Sequence, residues 1–387
     1  MSSKRFILDK VLGKQVWNEG EVVVEHDLTI FQHYRGVIEF IPENIMGHVI
    51  LSCGVHGDET LPIEWLDSLV EALYKGEMKL HYRLLIIFAH PKAIDDNVRF
   101  VDFNLNRLFS DTIIDVEEQK QMAANSGQGH ELKIVRKLKE VVADFYMNSD
   151  DDKRWHLDLH CSIRPSVYRQ FSILPFSETS HHHNEFIELL NTAGIEAHVF
   201  SRKPSGTFSW FTHDVYQSNS VTLELGELHP IGENNLNQLE LFDKVIRSWL
   251  EDGEIKKHHA SHDEVKVAHT QLSNLSLNNS PSLNSHSSLN NRPSLKIPYF
   301  IVDKVITKQS EEFNFTFSDQ AVNFTLIEKN SIYGYDGESV LQTGKSPLYI
   351  IFPNPSVEVG QRAGLLLKQS EITINEKGTI VIDKLWW

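Results

Sequence analysis

Cysteine is scarce in this chain: of 387 residues only Cys53 and Cys161 carry a thiol. Two thiols cannot build a disulfide framework, and they fit a reducing compartment. Long apolar runs are missing too, and none approaches the ~20 residues that a membrane helix needs. The opening residues, MSSKRFILDKVLGKQ, lack the apolar core of a secretory signal. The expectation is a cytoplasmic protein without a membrane partner. A basic patch is absent from a chain whose formal net charge is −16, which argues against a nucleic-acid partner. HExxH, a phosphate-binding glycine loop and a GxSxG elbow are also absent, removing three common catalytic signatures.

What remains is ordinary globular composition, 41% hydrophobic and 23% charged. The length predicts two domains, or one large domain with an appendage. Residues 47–55 read as a buried strand, Thr60–Lys75 as a helix ended by Gly76, and residues 80–89 as a second buried strand. That order predicts an α/β fold with a mostly parallel sheet flanked by helices. The pattern continues with a helix over 131–147, strands over 155–160 and 168–174, a helix over 184–194, strands over 195–200 and 219–225, and a helix over 235–250. Residues 110–130 are polar and weakly periodic, and read as a loop over the site. Three regions follow: a catalytic α/β domain over 1–258, a Ser/Asn-rich low-complexity linker over 259–296, and a β-rich C-terminal domain over 297–387. Strands in the last are expected at 298–306, 311–317, 323–328, 347–352, 371–376 and 379–384.

Chemistry-bearing residues gather where strands end. His56-Gly57-Asp58-Glu59 follows the first buried strand, and ligand sites collect at the carboxyl ends of parallel strands. If a helical turn starts here, positions i and i+3 share a face with Cβ atoms ~5–6 Å apart. His56 and Glu59 could then reach one zinc ion. Solvated polar residues at a helix start have the same spacing. Asp58 reads as a charge favourable at a helix N-terminus.

In Trp155-His156-Leu157-Asp158-Leu159-His160 the alternation puts His156, Asp158 and His160 on one strand face. Two histidines four residues apart lie roughly 13 Å apart along a strand and cannot share a metal. His160, at the strand end, is the candidate ligand, and His156 reads as a buried, hydrogen-bonded histidine. Asp158 is then an acceptor able to orient a ligand imidazole. Two His and one Glu leave a zinc position open for water. Glu224, inside the apolar strand VTLELGE, needs a reason to be there, because an unpaired buried carboxylate is costly. General base catalysis supplies one. Glu227, beyond Gly226, reads as exposed.

Arg99, Asn104, Asn106 and Arg107 follow the second strand, and arginine forks bind carboxylates bidentately. Both cysteines read as small packed residues. His181-His182-His183 should splay around a helix start, and Asp150-Asp151-Asp152 is a solvated run.

In this order the stretches GVHGDET, RFVDFNLNRLF, WHLDLHCSIRPS, KPSGTFSWF, TLELGE and FPNPSVEVGQRAGLLL resemble the succinylglutamate desuccinylase/aspartoacylase family, a branch of the zinc-carboxypeptidase-like fold. WHLDLH, GTFSWF, TLELG and the FPNP…RAGL tail are more similar to its desuccinylase branch. The resemblance implies one zinc ion per subunit on His56, Glu59 and His160, Glu224 as general acid/base, and Arg99 polarising the scissile carbonyl. It implies that Asn106 and Arg107 grip a substrate carboxylate. Arg164, just past His160, is a further carboxylate holder by position and charge. The chain departs from the aspartoacylase pattern at Asn104, where those enzymes carry an acidic residue, and the Ser/Asn linker looks like an insertion.

The implied reaction is hydrolysis of N2-succinyl-L-glutamate to succinate and L-glutamate, the last step of the arginine succinyltransferase pathway. The expected partner is a small anionic N-acyl amino acid, and a homo-oligomer stays open. The alternatives are an aspartoacylase-like deacylase, a peptide-cleaving carboxypeptidase and a non-catalytic metal-binding module.

Overall fold

The computed structural model describes residues 5–111, 129–147, 149–150, 153–254, 297–317 and 321–382. Most of the polar loop and all of the Ser/Asn-rich segment lie outside them.

The apolar runs become adjacent strands of one mixed sheet. In chain order these are β1 Val22–Glu25, β2 Leu28–Gln32, β3 Val37–Pro42, β4 His48–Cys53, β5 Arg83–Phe88, β6 Arg154–Ser162, β7 Phe171–Leu174, β8 Ala197–Phe200, β9 Asn219–Glu227 and β10 Tyr299–Thr307. Their order across the sheet is β1-β2-β3-β5-β4-β6-β9-β7-β8-β10. The central four, β5-β4-β6-β9, are parallel, whereas β7 runs antiparallel to β9. Beyond β10 the same sheet continues through Arg362–Ser370, Leu348–Ile351 and Thr325–Ile327. The C-terminal β region thus extends the catalytic sheet through β10, which pairs in parallel with β8.

Both faces of the central strands are covered, as the near-continuous apolar character of β4 and β5 requires. Along β4, Val49, Leu51 and Cys53 belong to one core with buried residues of the helices Thr60–Tyr74, Asn184–Thr192 and Glu240–Asp252. Ile50 faces the other way, toward the helices His130–Tyr146 and Phe208–Tyr216. The expected central strands and helices are present within a few residues. The first three strands, the helices Pro91–Asp96 and Phe208–Tyr216, and the long strand Arg362–Ser370 are additions to the sequence reading.

The parallel register sets the site. Across β4 and β6, Ser52 stands opposite Asp158, and across β6 and β9, His160 stands opposite Glu224. The carboxyl ends of three neighbouring strands therefore deliver His56, His160 and Glu224 to one edge.

Candidate active site

The HGDE segment is a turn rather than a first helical turn. The helix begins at Thr60, and the Glu59 amide reaches back 3.4 Å to the His56 carbonyl. Gly57 makes the turn possible: a Cβ there would stand 2.1 Å from the Ala93 carbonyl carbon. The fold of this turn brings His56 and Glu59 together with His160, their ligand atoms all within 4.8 Å of one another. Among the described residues this is the only such cluster of three.

Glu59 is the hub. Its Oε1 lies 2.8 Å from His56 Nδ1 and accepts from the Arg99 guanidinium at 2.7 Å. Its Oε2 lies 2.7 Å from His160 Nδ1 and accepts from the Cys161 amide at 3.1 Å. The far nitrogens are held as well: His56 Nε2 is 3.0 Å from Asn104 Oδ1, and His160 Nε2 is 3.0 Å from Asp158 Oδ2. Two acceptors thus fix the rings so that both Nδ1 atoms face Glu59. Asn104 behind His56 is a contact the sequence reading missed.

Charge follows this geometry. Burial opposes ionisation of Glu59, but His56 and His160 override it and hold the carboxyl well below its usual range. Burial likewise opposes a charge on His160, yet Asp158 and Glu59 raise it well above an ordinary histidine. Burial pushes His56 down to about 4. Two imidazoles and a carboxylate, oriented from behind and buried, suit a divalent metal ion.

Asp158 is itself pinned, accepting from Ser52 Oγ at 2.6 Å. His156 takes no part in the cluster; its nitrogens lie 2.7 Å from Ser52 Oγ and 2.8 Å from Thr212 Oγ1. Replacing Asp158 with alanine should weaken metal binding about 10- to 100-fold, measured by competition with a chromophoric chelator. Unchanged affinity would remove Asp158 from the role of orienting His160.

Glu224 stands apart from this network. Burial and then the Glu59 charge raise its pKa to about 7, and its Oε2 is buried without a hydrogen-bond partner among the described residues. Like His56, His160, Arg99, Asn106 and Arg107, it lines a cleft of about 2050 Å³. Arg164 lines it too. Asn106 is buried, accepts from the Phe208 amide at 2.9 Å and approaches His160 Nε2 at 3.4 Å. Arg107 donates to the Asn106 carbonyl at 2.6 Å, and burial beside Arg362 and Arg99 pushes its pKa well down. The close approach of the KPSGTF segment depends on Gly206, where a Cβ would meet the Arg107 carbonyl oxygen at 2.2 Å.

The segment carrying these arginines is tied down by a buried carboxylate. Glu131 accepts from His90 Nε2 at 2.9 Å and from the Val101 amide at 2.7 Å, and it also receives the amides of Asp102 and Phe103. Burial alone would raise its pKa, but His90 and these amides win and lower it to about 2. The lowered value stabilises the fold above the ordinary pKa and loses effect as pH falls from about 5 toward 2. The gap from 4.5 corresponds to about 3 kcal/mol. The Glu131→Gln variant should be less stable by about that amount at pH 7, and its deficit should shrink below pH 5. Urea titrations of both proteins across pH check this, and a pH-independent deficit would contradict it.

Of the other expectations, Cys53 and Cys161 are buried in or beside strands and outside the metal cluster. Their thiols are pushed well up by burial. Glu227 is exposed. His182 is buried and stacks on His213 at 4.2 Å, with His181 and His183 turned outward.

Comparison with known proteins then places the chain. Residues 46–250 match the model described as "Succinylglutamate desuccinylase/Aspartoacylase catalytic domain", just over half of the sequence. The chain belongs to this family. Residues 296–370 match the "AstE/AspA barrel-sandwich hybrid domain". A protein from Vibrio campbellii named succinylglutamate desuccinylase is 34% identical over 94% of this chain and 93% of its own. The solved structure of that enzyme from Vibrio parahaemolyticus superposes with a TM-score of 0.79 at 30% identity, covering 99% of this chain and 100% of the other. The Vibrio cholerae structure gives 0.79 and 30% over 98% and 100%. The cleft just described thus lies in an enzyme of this family. No described helix is long and apolar enough to cross a membrane.

Proposed function

We propose that this enzyme hydrolyses N2-succinyl-L-glutamate to succinate and L-glutamate, with zinc held by His56, Glu59 and His160. The observation that carries the reading is the pairing of a preassembled His–Glu–His cluster with Glu224, a buried carboxyl whose pKa is raised to about 7. The names of the relatives supply the substrate.

A zinc ion at this cluster would supply a Lewis acid for the scissile carbonyl and lower the pKa of a bound water. The chain's own residues do the rest. Glu224, poised near neutrality, takes the proton of the attacking water and returns it to the departing glutamate nitrogen, as Brønsted behaviour favours. Arg99 brings a fixed positive charge to the oxygen that becomes negative; its salt bridge to Glu59 holds it beside the cluster. Asn106 and Arg107 take one substrate carboxylate and Arg164 a second, with guanidinium forks matched to carboxylate oxygens. A location in the cytoplasm fits an enzyme of amino-acid catabolism.

Turnover of N-succinyl, N-acetyl and N-formyl amino acids, compared by kcat/KM, tests the substrate. Succinylglutamate should lead by at least about 10-fold, the scale of one lost charged hydrogen bond. A lead for N-acetylaspartate would transfer the assignment to the aspartoacylase-like alternative.

A further inference from the structure

The sequence reading gave the C-terminal β region no task. Its strand Arg362–Ser370 pairs with β10, Arg362 standing opposite Thr307. The Arg362 side chain lines the same cleft as His56, His160 and Glu224. Its guanidinium lies over the Phe352 ring, 5.6 Å from the centroid. Among the described residues it makes no hydrogen bond and no ion pair.

That placement is braced from the catalytic side. Buried Asn323 donates to Ser162 Oγ at 2.6 Å, two residues past His160, and accepts from the Phe352 amide at 2.7 Å. Its backbone also pairs with Pro165 and Val167. The ring under Arg362 is therefore fixed to the strand end that carries His160.

Three arginines meet here. Arg99 is paired with Glu59 and Arg107 with the Asn106 carbonyl, whereas Arg362 feels the like charges of Arg99 and Arg107 and the opposite charge of Glu224. Burial, then Arg99, lowers its pKa to about 10, with Glu224 opposing. Gathering cations in a partly buried cleft is unfavourable without an anion. Glu224 cannot be that anion throughout the reaction, because its work requires it to carry a proton.

We propose that Arg362 binds a carboxylate of the substrate, making the C-terminal β region a direct determinant of specificity. This rests on the reading above that the substrate is an N-acyl amino acid with several carboxylates. The two carboxylates outside the α position, one at the end of the acyl chain and one on the amino-acid side chain, offer the same chemistry. Planar guanidinium geometry lets Arg362 grip either one bidentately.

The test uses the zinc-loaded full chain and the variants Arg362→Gln and Arg362→Lys. Substrates are N-succinyl-L-glutamate, N-butyryl-L-glutamate, which lacks the acyl carboxylate, and N-succinyl-L-norvaline, which lacks the side-chain carboxylate. R362Q should lose about 100-fold in kcat/KM on succinylglutamate and less than about 3-fold on whichever analogue lacks the carboxylate it holds. R362K should recover part of the loss, since it restores charge without the fork. An equal loss on all three substrates, or no loss on any, would overturn the proposal. Melting temperatures of R362Q and R362K alongside wild type show whether the fold is intact. Binding gives a readout independent of turnover: succinate or glutamate should raise the melting temperature of wild type more than that of R362Q. If wild type fails to hydrolyse succinylglutamate, the proposed substrate is wrong. The protection experiment still decides whether Arg362 binds a carboxylate, and equal protection of both proteins overturns that.

Discussion

Glu224→Gln is expected to lower kcat about 1000-fold while the protein keeps its metal. Glutamine preserves the size of the side chain and leaves His56, Glu59 and His160 untouched, but it cannot accept and return a proton. KM should change little, because Glu224 is not assigned to hold a substrate carboxylate. The same substitution should stabilise the metal-free protein. A folded-state pKa of about 7, against 4.5 for an ordinary glutamate, means the charged form is disfavoured on folding. That cost appears as pH rises above 4.5, grows to about pH 7 and then levels off, reaching about 1–3 kcal/mol. A dead enzyme with an unchanged zinc content, and a higher urea midpoint than wild type once both are stripped of metal, is the expected signature. A variant with near-normal kcat would remove Glu224 as the acid/base.

Glu59→Gln should have an effect of comparable size by a different route. Glu59 accepts from Arg99 and the Cys161 amide and faces both imidazoles. An amide cannot match that set of contacts, and one of the three proposed ligands is lost. Zinc should dissociate under conditions where wild type retains it, and turnover should fall with the metal content. In the metal-free protein the variant breaks a buried ion pair and leaves His160 facing an amide. Removing one partner of such a pair costs about 3–5 kcal/mol. Zinc content after dialysis and the melting temperature after chelation separate the two consequences. Retained metal with unchanged stability would contradict the role of Glu59 as hub.

The parts legible in the sequence share a cause. β4 and β5, buried on both faces, stand out as apolar runs, and β6 and β9 stand out by apolar residues at every second position. In WHLDLH the alternation puts His156 and His160 on one face, and the rise along the strand, roughly 13 Å over four residues, keeps them from sharing a metal. The helix Phe208–Tyr216 escaped because it is only nine residues long and mixes aromatic with polar residues. Arg362–Ser370 escaped because it opens on arginine, alanine and glycine and ends on lysine, glutamine and serine, leaving only three leucines as an apolar run. Asn104 reaches His56 across 48 residues, and nothing local marks such a contact. Arg362 enters the cleft because the sheet continues from β8 into β10, a pairing made by tertiary structure. The HGDE pair was reached by a different local route, since a glycine turn packed against Ala93, and not a helical turn, brings His56 to Glu59.

The most direct test of the account is succinate release from N2-succinyl-L-glutamate by the purified protein before chelation, after chelation, and after one equivalent of zinc is restored. Turnover, its loss with the metal, and recovery near one zinc ion per chain are expected. Undiminished succinate release from a preparation shown to hold no metal would contradict it.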